Sequence, residues 1–282
     1  MSTAFKVSIQ SWVTFLALVM IWPGPTAQAS RDKSTCDRRQ IEASNFDFDD
    51  NLFVTPARIA IWDNVNQAEL EVSTAYWALI KGKIAKEGAY KDFVMRPNFL
   101  RDFSDSGAYG TKLFKNQIGQ ALKRRDVSWK GPRWDAFVDA LSCPISRQYV
   151  TIITAREHSP ESILAGLQLL KEKGLIPALP DIDHIYPVRW SGFPTQFKGQ
   201  TDAESKAKVM EYLLDRLETQ PISKDEKLHL WNFSDDDFDN FSQALETLSP
   251  QVRGGRWPHV KISLFFTGLN NPEHKPQAIV IN

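Results

Sequence analysis

From residue 149 to residue 266 short apolar runs alternate with stretches of helical period, and few folds accommodate that alternation. Residues 149–153 (Tyr-Val-Thr-Ile-Ile) read as a buried strand. Ser159-Pro160-Glu161 then offers a cap, a proline suited to a first helical turn and an early acid, and Ile163, Leu164, Leu167 and Leu170 recur at helical spacing up to Gly174. The same logic predicts strands at 182–188, 228–233 and 260–266, with helices at 202–217 and 238–248 between them. Parallel strands need crossovers of about this length, so the progression implies a parallel sheet with helices packed on it.

The chain has 282 residues, which suits one large domain or one domain carrying an insertion. At 42% hydrophobic and 24% charged it has the material for a core, which excludes wholesale disorder and fibrous architectures. Lys+Arg and Asp+Glu both total 34, so the overall charge indicates neither a nucleic-acid coat nor an acidic tail, and any electrostatic bias must be local. One such bias exists: residues 80–133 hold 13 Lys/Arg against 5 Asp/Glu.

Lys6, the apolar stretch 12–22 and Ala27-Gln28-Ala29 follow the order of a secretory signal peptide, cleaved after Ala29. That stretch is 11 residues long, whereas a membrane-spanning helix needs roughly 20. A soluble periplasmic or secreted protein is expected, with no membrane attachment after cleavage. In an oxidising compartment Cys36 and Cys143 either form one disulfide or remain two unpaired thiols, and no Cys-x-x-Cys spacing suggests zinc. Between 57 and 143 the strand–helix rhythm breaks. Residues 58–62 and 68–72 alternate around 64–67 like a hairpin, and helical patterns follow at 73–86, 109–125 and 134–141.

Two acidic segments carry the candidate chemistry. In Phe46-Asp47-Phe48-Asp49-Asp50-Asn51 an extended chain sets Asp47 and Asp49 on one side, where a cation, a proton or solvent must relieve their charge. Phe233-Ser234-Asp235-Asp236-Asp237-Phe238-Asp239-Asn240 follows an expected strand and opens a helix, so its acids sit where open α/β sheets bind ligands. Each segment has a plainer reading, as a solvated turn or as helix-capping acids. Thr154, at another strand exit, and Lys206, near a helix start, complete the order acid pair, Thr, Lys, acid pair.

In that order the chain resembles the haloacid dehalogenase-like (HAD) superfamily of phosphohydrolases over about residues 45–245: FDFDDNLFVTP is similar to its first motif, IITAR to its second, Lys206 in SKAKVMEYLL to its third and FSDDDFDN to its fourth. The resemblance implies an α/β, Rossmann-like three-layer parallel-sheet core (30–56 and 144–282), with a flap hairpin and a mostly helical cap at 57–143 inserted after the first strand. It implies that Asp47 is the nucleophile forming an aspartyl-phosphate and that Asp49 protonates the leaving group and then activates water. Thr154 and Lys206, rather than Lys208, would bind the phosphoryl oxygens. Mg²⁺ would be held by Asp47, Asp235, Asp236 (with Asp239 as its alternative) and the Asp49 backbone carbonyl. The expected activity is hydrolysis of an anionic small-molecule or nucleotide-type phosphomonoester, with a nucleic-acid end as a weaker choice. A phosphotransferase and a catalytically silent binding module are the alternatives. Asp181-Ile182-Asp183-His184 reads as a sheet-edge loop, and His158 as a surface residue near a helix start.

Overall fold

The computed structural model describes residues 40–106, 109–221, 228–268 and 277–281. The expected signal peptide and Cys36 lie outside the described residues, while Cys143 is not a free thiol. No helix among the described residues is long and apolar enough to cross a membrane.

In chain order the main elements are β1 (Glu42–Phe46), β2 (Arg58–Asp63), β3 (Ala68–Ser73), α1 (Thr74–Ile80), β4 (Phe93–Val94), α2 (Leu113–Ala121), α3 (Trp134–Ser142) and β5 (Val150–Thr154). They continue as α4 (Pro160–Glu172), β6 (Ile185–Pro187), α5 (Asp202–Glu218), β7 (His229–Asp235), α6 (Phe238–Arg253), β8 (Val260–Phe266) and β9 (Gln277–Ile281). A six-stranded sheet runs β6-β5-β1-β7-β8-β9, parallel except for β9, which pairs antiparallel with β8. The result is an α/β fold compatible with a Rossmann-like core. The antiparallel edge strand was not expected from the sequence.

Strand alternation divides the interior in two. Ala43, Ile153, Trp231 and Phe233 face one side and pack on Val209, Met210 and Leu214 of α5 and Phe241 and Leu248 of α6. Phe46, Val150 and Ile152 face the other and pack on Phe114 and Ile118 of α2, Phe137 of α3 and Ile163 and Leu167 of α4. The cap expectation is corrected here: α2 and α3, although within 57–143, cover a face of the main sheet, because their apolar stripes match Phe46 and Ile152. β1 occupies the sheet centre despite its polar sequence, since buried Asn45 donates through Nδ2 to the Asn232 carbonyl at 2.9 Å.

The rest of the insertion is a three-stranded antiparallel sheet, β3-β2-β4, with a small core of Ile59, Ile61, Val72, Ile80, Ile84, Leu100 and Phe103. The expected hairpin is present, with Arg58 opposite Ser73 and Asp63 opposite Ala68. The helix expected over 73–86 stops at Ile80, where the chain turns to bury Ile84 and Ala85 takes a positive φ of 59°. The helix expected over 109–125 shortens to α2. The strand expected over 182–188 begins only at Ile185, because the Asp181 side chain accepts from the Asp183 amide and holds Ile182–His184 in a 3-10 turn.

Two connections fix the loops at the carboxyl end of the sheet. Asp105 accepts from the Ser159 amide at 2.8 Å and from the Ser162 hydroxyl at 2.9 Å, tying the insertion to the start of α4. Residues 51–54 form backbone hydrogen bonds with 129–133: Val54 N to Trp129 O at 2.9 Å, Gly131 N to Leu52 O at 2.9 Å and Arg133 N to Asn51 O at 3.0 Å. A Cβ on Gly131 would lie 2.3 Å from the Asn51 carbonyl oxygen. Gly131→Ala therefore pushes the two loops apart, and thermal denaturation should show a loss of about 1–3 kcal/mol; an unchanged melting temperature would show that this seam is not close-packed.

Candidate functional site

β1, β5 and β7 run parallel and finish at the same sheet edge, so the residues that follow them converge. Asp47 leaves β1 with its amide donating to the Ser234 carbonyl at 2.9 Å. Asp235 ends β7, and Thr154 ends β5, buried, with its carbonyl accepting from the Val188 amide at 2.8 Å. Lys206 enters this edge from the second turn of α5. Its Nζ donates to Asp47 Oδ1 at 2.6 Å and to Asp235 Oδ2 at 2.7 Å, with all three side chains buried. Lys208 points elsewhere, donating to the Lys198 carbonyl at 2.7 Å from an exposed position.

Carboxylate oxygens of Asp47, Asp235 and Asp236 lie within 4.8 Å of one another. Asp239 is not part of this group; it pairs with Lys81 at 2.9 Å and is largely exposed. Asp237, which also pairs with Lys81, takes the capping duty at the start of α6 by accepting from the Asp239 amide at 3.0 Å. Asp235 and Asp236 thus have no capping role that accounts for them. Asn240 steadies Asp235, its Nδ2 donating to both carboxylate oxygens at 3.1 Å, and the Asp237 amide donates to Oδ1 at 2.9 Å.

One ammonium faces three crowded carboxylates, and the proton affinities reflect it. Burial opposes the charge on Lys206, but Asp235 and Asp47 outweigh it and raise its pKa, so it stays an ammonium. Burial, reinforced by neighbouring acids, raises Asp47 and Asp236 well above the usual carboxylate range, although Lys206 pulls the other way. Three converging carboxyl groups whose charge is incompletely compensated form an oxygen donor set that could hold a metal ion. Further along the loop, Asp50 adopts a positive φ of 54°, and burial lifts its carboxyl to about 6 against hydrogen bonds from Thr74 and Ala75.

Asn51 closes the loop from beneath. It is fully buried; Nδ2 donates to the Asp47 carbonyl at 2.9 Å and to the Ser234 carbonyl and hydroxyl at 3.0 Å, while Oδ1 accepts from Thr267 Oγ1 at 2.9 Å. That set staples the exits of β1, β7 and β8 together. Asp49 is held apart from the acid cluster by Arg156, whose Nε reaches Oδ2 at 2.8 Å and whose Nη2 reaches Oδ1 at 2.6 Å. Its Oδ1 also accepts from Thr55 Oγ1 at 3.0 Å.

The structure therefore brings Asp47, Lys206, Asp235 and Asp236 together and sets Thr154 and Asp49 at the same sheet edge. Sequence reasoning gave no individual role to Arg156, Thr55 or Asn240, although the first two stand inside the quoted motifs and Asn240 closes the fourth. The basic character of the insertion is partly neutralised: Arg101 pairs with Glu69 and Glu71, Lys81 with Asp237 and Asp239, and Arg124 with Asp126. A cavity of about 400 Å³ opens beside the Arg156 loop, lined by Arg96, Phe99, Ser104 and Glu157. Comparison with protein families, with curated proteins and with solved structures finds no match.

His158 is not the surface residue expected; it is fully buried between Arg156 and the Phe114 ring. Burial and then the Arg156 charge lower its pKa to about 2. The unfolded imidazole protonates near pH 6.5 while the folded one does not, so this group's contribution to stability is complete above about 6.5 and falls as pH drops towards 2. Its share of the slope reaches about 1.4 kcal/mol per pH unit. Denaturant unfolding between pH 7 and pH 4 should show a flatter stability profile for His158→Gln than for the wild type; parallel profiles would contradict the assignment.

Proposed function

We propose that this chain is a Mg²⁺-dependent phosphomonoester hydrolase of the HAD-like kind, acting through an aspartyl-phosphate on an anionic small-molecule or nucleotide-type substrate. The observation that carries this reading is the buried Lys206 ammonium bridging Asp47 and Asp235 at the carboxyl edge of a parallel sheet, with Asp236 alongside. Buried charges are costly unless paired, and a carboxyl cluster with one ammonium is poised for a cation, which in turn would draw in an anionic ligand. Residues 1–29, read as a signal peptide, would direct the protein to the periplasm or the exterior.

Asp47, Asp235 and Asp236 would hold the ion, together with the Asp49 backbone carbonyl. When bound, it supplies positive charge against the phosphoryl oxygens. Lys206 and the Thr154 hydroxyl orient those oxygens. Because Lys206 occupies Asp47 Oδ1, the other carboxylate oxygen is free to attack phosphorus in line with the ester oxygen. The bond from phosphorus to the leaving oxygen breaks as the new bond to Asp47 forms, and the leaving oxygen takes a proton from Asp49. A water molecule then attacks phosphorus, gives its proton to Asp49 and releases phosphate and the Asp47 carboxylate. The enzyme returns to its starting state with one water consumed.

The test is phosphate release from a panel of phosphomonoesters by the purified mature chain, with Mg²⁺ and with EDTA, beside Asp47→Asn. Turnover should need Mg²⁺ and should fall by on the order of 10³-fold or more in the variant. Mg²⁺ binding without turnover on any ester would replace this reading with a silent binding module.

A further inference from the structure

We propose that Arg156 is the positioning residue for Asp49, fixing which oxygen of that carboxylate exchanges the proton during phosphoryl transfer and linking that geometry to the inserted small sheet. The inference rests on the phosphohydrolase reading for its chemistry and on the hydrogen bonds for its geometry.

Arg156 is fully buried, and four of its five N–H groups have an oxygen acceptor within 3.2 Å. Nε and one Nη2 proton hold the two oxygens of Asp49; the second Nη2 proton reaches Thr55 Oγ1 at 3.2 Å. Nη1 donates to Gln117 Oε1 at 3.1 Å and faces His158 Nδ1 at 3.4 Å. A neutral His158 can accept there with its own proton on Nε2. The guanidinium also lies against the rings of Phe114 and Phe103, at 4.7 and 4.8 Å. Rotation of Arg156 would break several of these contacts together.

The consequence for Asp49 follows from counting lone pairs. A carboxylate offers about four acceptor positions, two on each oxygen. Oδ1 has both filled, by Arg156 Nη2 and Thr55 Oγ1, whereas Oδ2 has one filled, by Arg156 Nε. The open position on Oδ2 is where the proton sits before it passes to the leaving oxygen, and where the proton of the attacking water arrives. The grip extends outward: Gln117 Nε2 donates to the Asp102 carbonyl at 2.6 Å, and the Asp102 carboxylate accepts from the Arg58 amide at 2.9 Å, at the start of β2. The seating of the small sheet therefore bears on Asp49 through Gln117 and Arg156.

A positioning role shows itself in leaving-group dependence. p-Nitrophenyl phosphate has a leaving group that departs with little protonation, whereas an alkyl phosphate such as glycerol phosphate needs the proton. Arg156→Lys keeps the charge but loses the two-point grip. It should lower kcat on glycerol phosphate by on the order of 10²-fold and on p-nitrophenyl phosphate by less than about tenfold. Gln117→Met, which leaves Asp49, Thr55 and Arg156 in place, should shift the same ratio in the same direction by a smaller factor. Equal losses on both substrates, or a wild-type ratio in a folded Arg156→Lys, would overturn the inference while leaving the phosphohydrolase reading intact. If the wild type turns over no ester of the wider panel, that reading has failed. A thermal double-mutant cycle of Asp49→Asn with Gln117→Met then decides the geometric part: non-additive changes support the linkage, and additive ones overturn it.

Discussion

The carboxyl edge of the sheet is organised around one buried ammonium. Lys206 has no access to water, so its charge is tolerable only because Asp47 and Asp235 both lie within hydrogen-bond distance. That requirement ties α5 to the exits of two neighbouring strands, β1 and β7. Removing the ammonium would leave two buried carboxylates to repel each other, and removing either carboxylate would weaken the compensation of the charge between them. With Asp236 alongside, the two carboxyl groups that fix the local structure also belong to an acidic cluster that could hold a cation.

A second buried ion pair lies beside the first, and the contrast between them gives the two acids of the first motif different surroundings. Asp47 shares its cation with Asp235 and sits next to Asp236. Asp49, two residues on, is held by Arg156 and Thr55. The partition comes from backbone geometry: Asn51 pins the turn below, and residues 129–133 brace it from the side. In the proposed chemistry one acid bonds to phosphorus and the other carries a proton, and these duties call for such unlike settings.

The sequence was most legible where periodicity and burial agree. The strand at 260–266, the capped helix after Ser159 and the hairpin around 64–67 all lie where alternation and turn chemistry place them. The purpose of the helices at 113–142 was not legible, because an apolar stripe does not reveal which surface it covers; α2 and α3 chose the main sheet over the small one. β9 was missed because its short alternating run, Gln277–Ile281, closes no strand–helix repeat. Within the site, Asp47, Lys206 and Asp235 could be picked out by their order, whereas Arg156 could not. Its partners Asp49, Thr55 and Gln117 come from separate parts of the chain, and only the fold brings them together.

The central claim is that Asp47 receives the phosphoryl group. Acid quenching during turnover of p-nitrophenyl phosphate with Mg²⁺, followed by mass spectrometry of the peptides, tests it most directly. The account predicts one phosphoryl adduct, on the peptide carrying Asp47, absent from Asp47→Asn. Turnover accompanied by an adduct on another residue, or undiminished turnover by Asp47→Asn, would contradict it.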